Sequence, residues 1–134
     1  MKGSCLCGNV HYEITPPFKM FQYCHCSRCR KFTGSAHAAN IFVAPSQFRW
    51  LKGQSSIQRF QKPDAKYFAT CFCTRCGSSL PWQAQGVPNI VVPAGTLDEE
   101  LMEQPQQCIF WGSRPAWFVE THNLKKHNAL PLKT

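Results

Sequence analysis

Nine cysteines lie in a chain of 134 residues, and most of them fall into two closely spaced groups. The first group joins Cys5-Leu6-Cys7 with Cys73-Thr74-Arg75-Cys76, and the second is Cys24-His25-Cys26-Ser27-Arg28-Cys29. The sequence opens MKGSCLCG, without the apolar stretch of a signal peptide, so we predict a cytoplasmic protein whose thiols stay reduced. An odd number of cysteines also leaves at least one unpaired. Metal binding therefore explains the pattern better than a disulfide framework.

The first group has the spacing of a closed zinc site. In an extended Cys5-Leu6-Cys7, both sulfur side chains leave the same face of the chain. The Cys73-x-x-Cys76 turn aims two further sulfurs at one point, and Gly77 permits the left-handed backbone that follows. We expect a structural zinc on these four cysteines, clipping together segments 66 residues apart. The alternative, reduced core cysteines, requires both spacings to be accidental.

The second group supplies three thiolates, from Cys24, Cys26 and Cys29, and no adjacent fourth ligand. In one interpretation an intrachain donor closes a second structural site. The candidate donors are His25, His37, Cys71 and Cys108. In the other interpretation the fourth position takes water or substrate, as in catalytic zinc sites. The spacing alone does not decide between them, although we expect Cys71, two residues before Cys73, to be a small buried hydrophobic residue.

Short apolar runs separated by turns predict the fold class. Val10, Tyr12 and Ile14 alternate with polar residues, which indicates a half-buried strand. Strand-like runs also occupy residues 36–43, 67–73, 89–92 and 108–111. Helical patterns are weak: one or two turns within residues 45–51, and a capping box from Thr96 to Glu99 that would start a helix ending before Pro105. The sequence predicts one mostly β domain over residues 1–134, with twisted antiparallel sheets of short strands clipped by zinc.

The chain carries a formal charge of +8, from 15 Lys and Arg against 7 Asp and Glu. Such a surface attracts nucleic acid or a small anionic substrate. However, the charges are scattered, and the run Arg28-Cys29-Arg30-Lys31 lacks the interleaved aromatic residues of a nucleic-acid platform. We therefore expect no specific nucleic-acid partner. The apolar runs are too short to cross a bilayer, so we expect no membrane association either.

The two cysteine groups, in this order, resemble the glutathione-dependent formaldehyde-activating enzyme family, which includes the centromere protein V-like domains. The specific stretches are GSCLCGNV from Gly3, CHCSRCRK from Cys24 and FCTRCG from Phe72. Supporting stretches are TGSA from Thr33, GTLD from Gly95 and PAW from Pro115. The resemblance thus spans most of the chain.

This resemblance implies coiled antiparallel sheets and two zinc ions with different roles. A structural zinc would lie on Cys5, Cys7, Cys73 and Cys76, and a catalytic zinc on Cys24, Cys26 and Cys29. The family's chemistry joins glutathione to formaldehyde as S-hydroxymethylglutathione, and its members are classed with carbon–sulfur lyases. The implied partner is a small thiol or its aldehyde adduct, with the substrate thiol at the open zinc position.

Two classes of function follow. The first is a zinc enzyme of thiol–aldehyde chemistry, in which Arg28, Arg30 and Lys31 pair with the carboxylates of an anionic thiol. The second is a non-catalytic zinc module that binds nucleic acid or protein; a metal or redox buffer is a further possibility. The sequence does not indicate an oligomeric state. We expect four aromatic residues of the C-terminal half to be core residues and not part of the site. They are Trp82, Phe110, Trp111 and Trp117.

Overall fold

A computed structural model describes residues 1–131 of the chain. Within them, eleven short strands make up most of the regular structure, together with one α-helix, α1 (Ser27–Thr33). The strands are β1 (Lys2–Ser4), β2 (His11–Ile14), β3 (Met20–Cys24), β4 (Ala38–Val43), β5 (Phe48–Lys52), β6 (Ile57–Gln61), β7 (Ala69–Cys73), β8 (Ser79–Leu80), β9 (Trp82–Gln83), β10 (Ile90–Pro93) and β11 (Gln107–Ile109). The mostly β fold class is therefore confirmed.

These strands form three small sheets. The first has the order β1-β2-β5, the second β11-β3-β4-β10-β9, and the third β6-β7-β8. All pairs are antiparallel except β11 with β3, which run in the same direction. This parallel pair lies at the edge of the five-stranded sheet and places Ile109 beside Cys24. A distant C-terminal segment thereby reaches the second cysteine group.

The alternation predicted for β2 is confirmed. Val10, Tyr12 and Ile14 are fully buried, whereas the polar residues between them are half-buried. The Tyr12 hydroxyl forms a 2.6 Å hydrogen bond with the Thr96 hydroxyl, and burial raises the pKa of Tyr12. Tyr12 therefore ties the first sheet to the segment that follows β10.

The five-stranded sheet has two different faces, which are set by the alternation along its central strand β4. On one face, Ile41 and Val43 pack into the apolar core around Tyr12. On the other face, Ala38 packs against Cys24. The second face therefore looks onto the second cysteine group, and its side chains are the ones that matter for a site there.

The sequence pattern does not predict α1, which begins directly after Cys26. The Cys26 sulfur caps the helix by accepting a hydrogen bond from the Cys29 amide at 3.4 Å. Gly34, with a φ of 67°, ends the helix. A helix of seven residues is too short to show a clear 3.6-residue period, and cysteine is not one of the usual capping residues. These two features explain why the sequence pattern does not predict α1.

The predicted helical turns within residues 45–51 are only partly present. A 3-10 helix covers Pro45–Gln47, and the chain then continues as β5. The rings of Phe48 and Trp50 pack against Tyr12, with ring centroids 5.8 and 6.2 Å away. Packing against the first sheet thus overrides the weak helical preference.

The helix predicted to start at Thr96 is wrong. Thr96 is instead the last residue of a 3-10 helix, Ala94–Thr96. Its hydroxyl donates to the Pro93 carbonyl and meets the Tyr12 hydroxyl, so it is not free to cap a helix. The Glu99 carboxylate accepts a hydrogen bond from the backbone of β1. The two groups that would form the capping box, the Thr96 hydroxyl and the Glu99 carboxylate, are therefore engaged in other hydrogen bonds.

The expectation of one domain over residues 1–134 stays a prediction, because residues 132–134 lie outside the described residues. Within residues 1–131, every helix is too short or too polar to cross a membrane.

Gly53, in the turn between β5 and β6, provides a test of the packing beside the first cysteine pair. Its φ is 81°, and a Cβ atom there would overlap the Asn9 carbonyl group. Gly86 has a similar φ of 71°, but nothing lies within 4 Å of its Cβ position. We expect Gly86→Ala to lower the free energy of unfolding by about 1–2 kcal/mol, from backbone strain alone. Gly53→Ala should lower it clearly more, because steric overlap adds to the strain.

Urea unfolding of both variants and the parent protein, at equal metal content, measures the two losses. Equal losses would show that Gly53 does not approach Asn9 as closely as the structure describes.

Candidate metal centres and active site

Four cysteines meet where the first and third sheets adjoin, and we call them the four-cysteine cluster. The members are Cys5, Cys7, Cys73 and Cys76. Their sulfur atoms all lie within 4.8 Å of one another. A glycine with a left-handed backbone follows each pair: Gly8 with a φ of 77° and Gly77 with a φ of 75°. Only glycine adopts this conformation without strain, and it lets each pair turn its sulfurs toward the same point.

The spacing of these sulfur atoms fits a tetrahedral zinc site. The Sγ atoms of Cys5 and Cys7 are 3.6 Å apart, and those of Cys7 and Cys73 are 3.9 Å apart. Zinc–sulfur bonds of roughly 2.3 Å give sulfur–sulfur edges of roughly 3.8 Å in a tetrahedron. The Val10 amide also donates to the Cys5 sulfur at 3.2 Å. Geometry and donor chemistry both suit zinc.

One member of this cluster is poised to ionise. The Ser78 hydroxyl lies 3.2 Å from the Cys76 sulfur, and its hydrogen bond lowers the pKa of Cys76 to about 5. Cysteine binds a metal as the thiolate. Cys76 is therefore ready to bind at neutral pH.

Three further cysteines gather at the start of α1, and we call them the three-cysteine cluster. The members are Cys24, Cys26 and Cys29, with sulfur atoms within 4.8 Å of one another. Cys24 ends β3, Cys26 caps α1, and Cys29 lies inside the helix. Cys24 and Cys29 are buried, whereas Cys26 is half-buried. The end of β3 and the short helix thus turn three thiols toward one point.

Hydrogen bonds among the three thiols separate their acidities. Those from the Cys24 and Cys29 sulfhydryls lower the pKa of Cys26. Hydrogen bonds with Cys24 and then with Cys26 raise the pKa of Cys29. The cluster therefore stabilises one negative charge by itself, whereas a second and third thiolate require a nearby cation.

No side chain within residues 1–131 completes the three-cysteine cluster as a fourth ligand at the same spacing. His25, the nearest candidate in sequence, is fully buried. Its Nδ1–H donates to the Ala36 carbonyl at 2.9 Å, and its ring packs against those of Trp111 and Phe118, with centroids 5.2 and 5.1 Å away. Burial lowers the pKa of His25. His25 thus anchors the C-terminal segment.

The other three candidates lie elsewhere. The His37 ring stacks on Tyr23 with a centroid separation of 4.2 Å. Cys71 is buried in an apolar core, where desolvation raises the pKa of its thiol. Cys108 is exposed on β11. The described chain therefore supplies three ligands to this cluster, which is the number found in catalytic zinc sites.

A cavity of about 660 Å³ opens beside the three-cysteine cluster, and all three cluster members line it. Ser27 and Arg28 of α1 lie at the same end. The second face of the five-stranded sheet forms its floor, through Asn40 and Phe42. This volume lies within the range of roughly 300–1,000 Å³ that is typical of small-ligand pockets.

The strand register gives the cavity a polar end and an apolar wall. Cys24 pairs with Ala38, the next inward pair is Gln22 with Asn40, and Phe42 follows on β4. The small side chain of Ala38 leaves the cluster uncovered on this face. The apolar wall consists of Phe42, Phe68, Trp82, Ala84, Val87 and Val91. A ligand held at the cluster would therefore meet amide groups first and then an apolar surface.

The cationic side chains that line the cavity are only in part the ones that the sequence predicts. Of the three expected to pair with an anionic substrate, Arg28 lines the cavity. Arg30 donates to the Ser113 carbonyl at 3.1 Å and, with Lys31, borders a separate cavity of about 270 Å³. Lys66, from the loop between β6 and β7, lines the main cavity instead. A loop residue far from any motif gives no sequence signal for such a role.

Sequence analysis also missed Asn40, which is only 9% exposed. Asn40 lines the cavity, and its amide is not among the buried side-chain groups that lack a hydrogen-bond partner, so solvent or a ligand can reach it. A ligand that enters the cavity would therefore find an amide donor and acceptor here. The sequence contained a signal, because Asn40 is the one polar residue of β4, AANIFV.

The expectation that the aromatic residues belong to the core holds only for Trp82, which is 8% exposed and also lines the cavity. Trp111 and Trp117 are exposed. Phe110 is 61% exposed, lines the cavity, and has a φ of 54°. Such left-handed backbone strains a residue other than glycine by roughly 1–3 kcal/mol and is often found at functional sites.

The sequence and the fold of this chain are similar to those of known proteins. The family model of the glutathione-dependent formaldehyde-activating enzyme matches residues 1–113. A protein of Halomonas elongata named "Putative glutathione-dependent formaldehyde-activating enzyme" is 28% identical over 128 residues, which cover 87% of this chain and 78% of that protein. The crystal structure of a Rhodobacter sphaeroides protein, 24% identical, has a similar fold with a TM-score of 0.65, over 81% of this chain and 99% of that one.

The two cysteines outside the clusters should differ in reactivity. We expect iodoacetamide to modify the exposed Cys108 at least about tenfold faster than the buried Cys71, because burial blocks access and disfavours the thiolate. Mass spectrometry of the native protein after timed labelling measures both rates. Unfolding should equalise them. If a chelator is needed before Cys108 reacts, then Cys108 is a metal ligand and the separation described above is wrong.

Proposed function

The chain belongs to the glutathione-dependent formaldehyde-activating enzyme family, and on this premise we propose that it is a zinc-dependent enzyme of the carbon–sulfur lyase type. Its reaction joins a small, glutathione-like thiol to an aldehyde and, in reverse, cleaves the carbon–sulfur bond of the adduct. The three-cysteine cluster is the catalytic centre. The four-cysteine cluster is structural.

The observation that carries this proposal is the position of a three-ligand cluster on the wall of a cavity. Structural zinc sites are closed by four protein ligands, whereas catalytic sites keep a position for water or substrate. The described residues supply no fourth ligand at the cluster spacing, and the cavity gives a small molecule access to it. This combination favours an enzyme over a non-catalytic module for binding nucleic acid or protein.

Cys24, Cys26 and Cys29 would hold the catalytic zinc as thiolates. When bound there, zinc stabilises the thiolate form of a substrate thiol at neutral pH. The protein's own contribution begins with Cys26, which is already acidic because its two neighbours donate hydrogen bonds to it. The buried positions of Cys24 and Cys29 keep one side of the cluster away from water.

Other side chains orient the two reactants. Arg28 and Lys66 border the cavity with exposed cationic groups, which suit the carboxylates of an anionic thiol. The Asn40 amide can donate a hydrogen bond to the aldehyde oxygen. Holding the reactants side by side removes much of the entropic barrier to their reaction. In the forward reaction a sulfur–carbon bond forms, the carbonyl π bond breaks, and the oxygen takes up the proton released by the thiol.

We expect about two zinc ions per chain at neutral pH, one for each cluster. Metal analysis of protein purified without chelators measures the content. The three-ligand site should lose its zinc first under mild chelation, because fewer protein ligands hold it. A firm value of one zinc in protein that was never exposed to a chelator would remove the second site from the proposal.

Single cysteine variants should separate the two clusters. Cys73→Ser or Cys76→Ser should cripple folding, because these ligands close a loop of 66 residues. Cys26→Ser should do less harm, because its partners are only two and three residues away. By analogy with cross-links, the difference in unfolding free energy is roughly 2 kcal/mol or more. Cys76→Ser is the cleaner variant, since Cys73 is also fully buried in the core.

Thermal melts, zinc counts and an assay of thiol–aldehyde adduct formation compare the variants. Cys26→Ser should keep its fold and one zinc but lose activity, whereas the exposed Cys108→Ser, the matched control, should retain stability, zinc and activity. If Cys26→Ser unfolds the protein as completely as Cys76→Ser, the three-cysteine cluster is structural and the catalytic assignment fails.

A further inference from the structure

The cavity beside the three-cysteine cluster contains more apolar surface than glutathione and formaldehyde need. Formaldehyde brings a single carbon atom to the reaction, and glutathione is a polar peptide with two carboxylates. Trp82, Ala84 and Val91 of the apolar wall also belong to the buried core. Phe42, Phe68 and Val87 are only partly buried and line the cavity of about 660 Å³, and neither reactant accounts for these three apolar side chains. Ligand pockets are usually apolar where they receive apolar groups and polar at a few orienting positions.

We propose that the aldehyde partner carries a hydrophobic aliphatic or aromatic substituent, which occupies the apolar wall while the sulfur lies at the three-cysteine cluster. The inference rests on the function proposed above and names the substrate class of the same site. The chemistry is unchanged. A sulfur–carbon bond forms, the carbonyl π bond breaks, and the thiol proton moves to the oxygen, so no oxidant or reductant is required.

The apolar wall is continuous with the cluster. Phe68 packs against the buried group that contains Cys24 and Cys29. Its ring centroid lies 5.4 Å from that of Trp82, which pairs with Val91 across the β9–β10 hairpin. A substituent that leaves the reacting carbon at the cluster therefore passes directly onto Phe68 and then along the sheet.

An amide separates the reacting end from the apolar end along β4. Asn40 lies between Ala38, which faces Cys24, and Phe42, which belongs to the apolar wall. Its amide, which lines the cavity, can serve as a hydrogen-bond partner for the new hydroxyl group of the adduct, since that hydroxyl and the substituent are attached to the same carbon. Such an adduct requires a polar group between the cysteine cluster and the apolar wall, because its hydroxyl group lies between the sulfur and the apolar substituent.

Phe110 borders the cavity from the C-terminal segment, and its conformation fits a contact with a substrate. The side chain is 61% exposed, so core packing does not compensate for the left-handed backbone at this residue. An apolar substituent in the cavity would cover the ring and provide that compensation. We assign Phe110 as a specificity-determining residue for the aldehyde substituent.

Two stable thioethers test the proposal, because they reproduce the sulfur and its substituent without reacting. S-methylglutathione and S-hexylglutathione are titrated calorimetrically into the zinc-loaded protein. Each fully buried methylene adds roughly a factor of four in affinity, so S-hexylglutathione should bind at least about tenfold more tightly. Equal affinities would overturn the inference and leave the proposed function standing. If glutathione itself binds but neither thioether does, the inference fails and the proposed function stands; if glutathione does not bind either, the proposed function fails and the inference with it.

Three asparagine variants locate the binding surface. Val87→Asn alters the apolar wall, and Phe110→Asn removes the aromatic ring while tolerating the left-handed backbone. Both should reduce the advantage of the hexyl probe to less than about threefold, with little change for the methyl probe. Val119→Asn is the matched control, since Val119 is 52% exposed and lies outside the cavity lining. A hexyl advantage that survives in both cavity variants, shown to be folded by thermal melts, would contradict the proposed position of the substituent.

Discussion

Four sulfur atoms from two distant turns share a space in which every pair lies within 4.8 Å. As thiolates they repel one another strongly, and a bound cation turns this repulsion into attraction. The first cysteine pair comes directly after β1, and the second pair begins at the last residue of β7. A cation bound by all four sulfurs would therefore also fix the first sheet relative to the third. The close packing of Gly53 against Asn9 then leaves little freedom for the chain beside the cluster.

The two clusters use the same ligand type under opposite constraints. The four-cysteine cluster joins segments 66 residues apart, so its geometry depends on the whole fold and in turn supports it. The three-cysteine cluster comes from one strand end and one short helix, so its geometry is largely local. A local cluster leaves one side free, and the sheet face and the C-terminal segment build the cavity on that side. The proposed structural and catalytic roles thus fall to two separate clusters of the same residue type.

Local and short-period features were predictable from the sequence. The alternation of Val10, Tyr12 and Ile14 shows which side chains are buried, and the cysteine spacings show which sulfurs meet. The cavity was not predictable in the same way, because Lys66, Val87 and Phe110 reach it through long-range contacts that no local pattern records. The parallel pairing of β11 with β3 has the same cause. The helices predicted at residues 45–51 and after Thr96 fail where tertiary packing overrides weak local preference, whereas α1 was missed because it is short and has a cysteine cap.

The edge position of β11 has a consequence for how relatives of this protein diverge. Only three residues of β11 pair with β3, and residues 77–131 contribute to neither cluster. Mutations in the segment around Phe110 can therefore reshape one side of the cavity while both cysteine clusters and the buried core stay intact. Under the proposed function, a gene copy that accumulates changes there would keep its reaction centre and acquire a new range of substrates. Neutral drift at a sheet edge is a short evolutionary route to a new specificity.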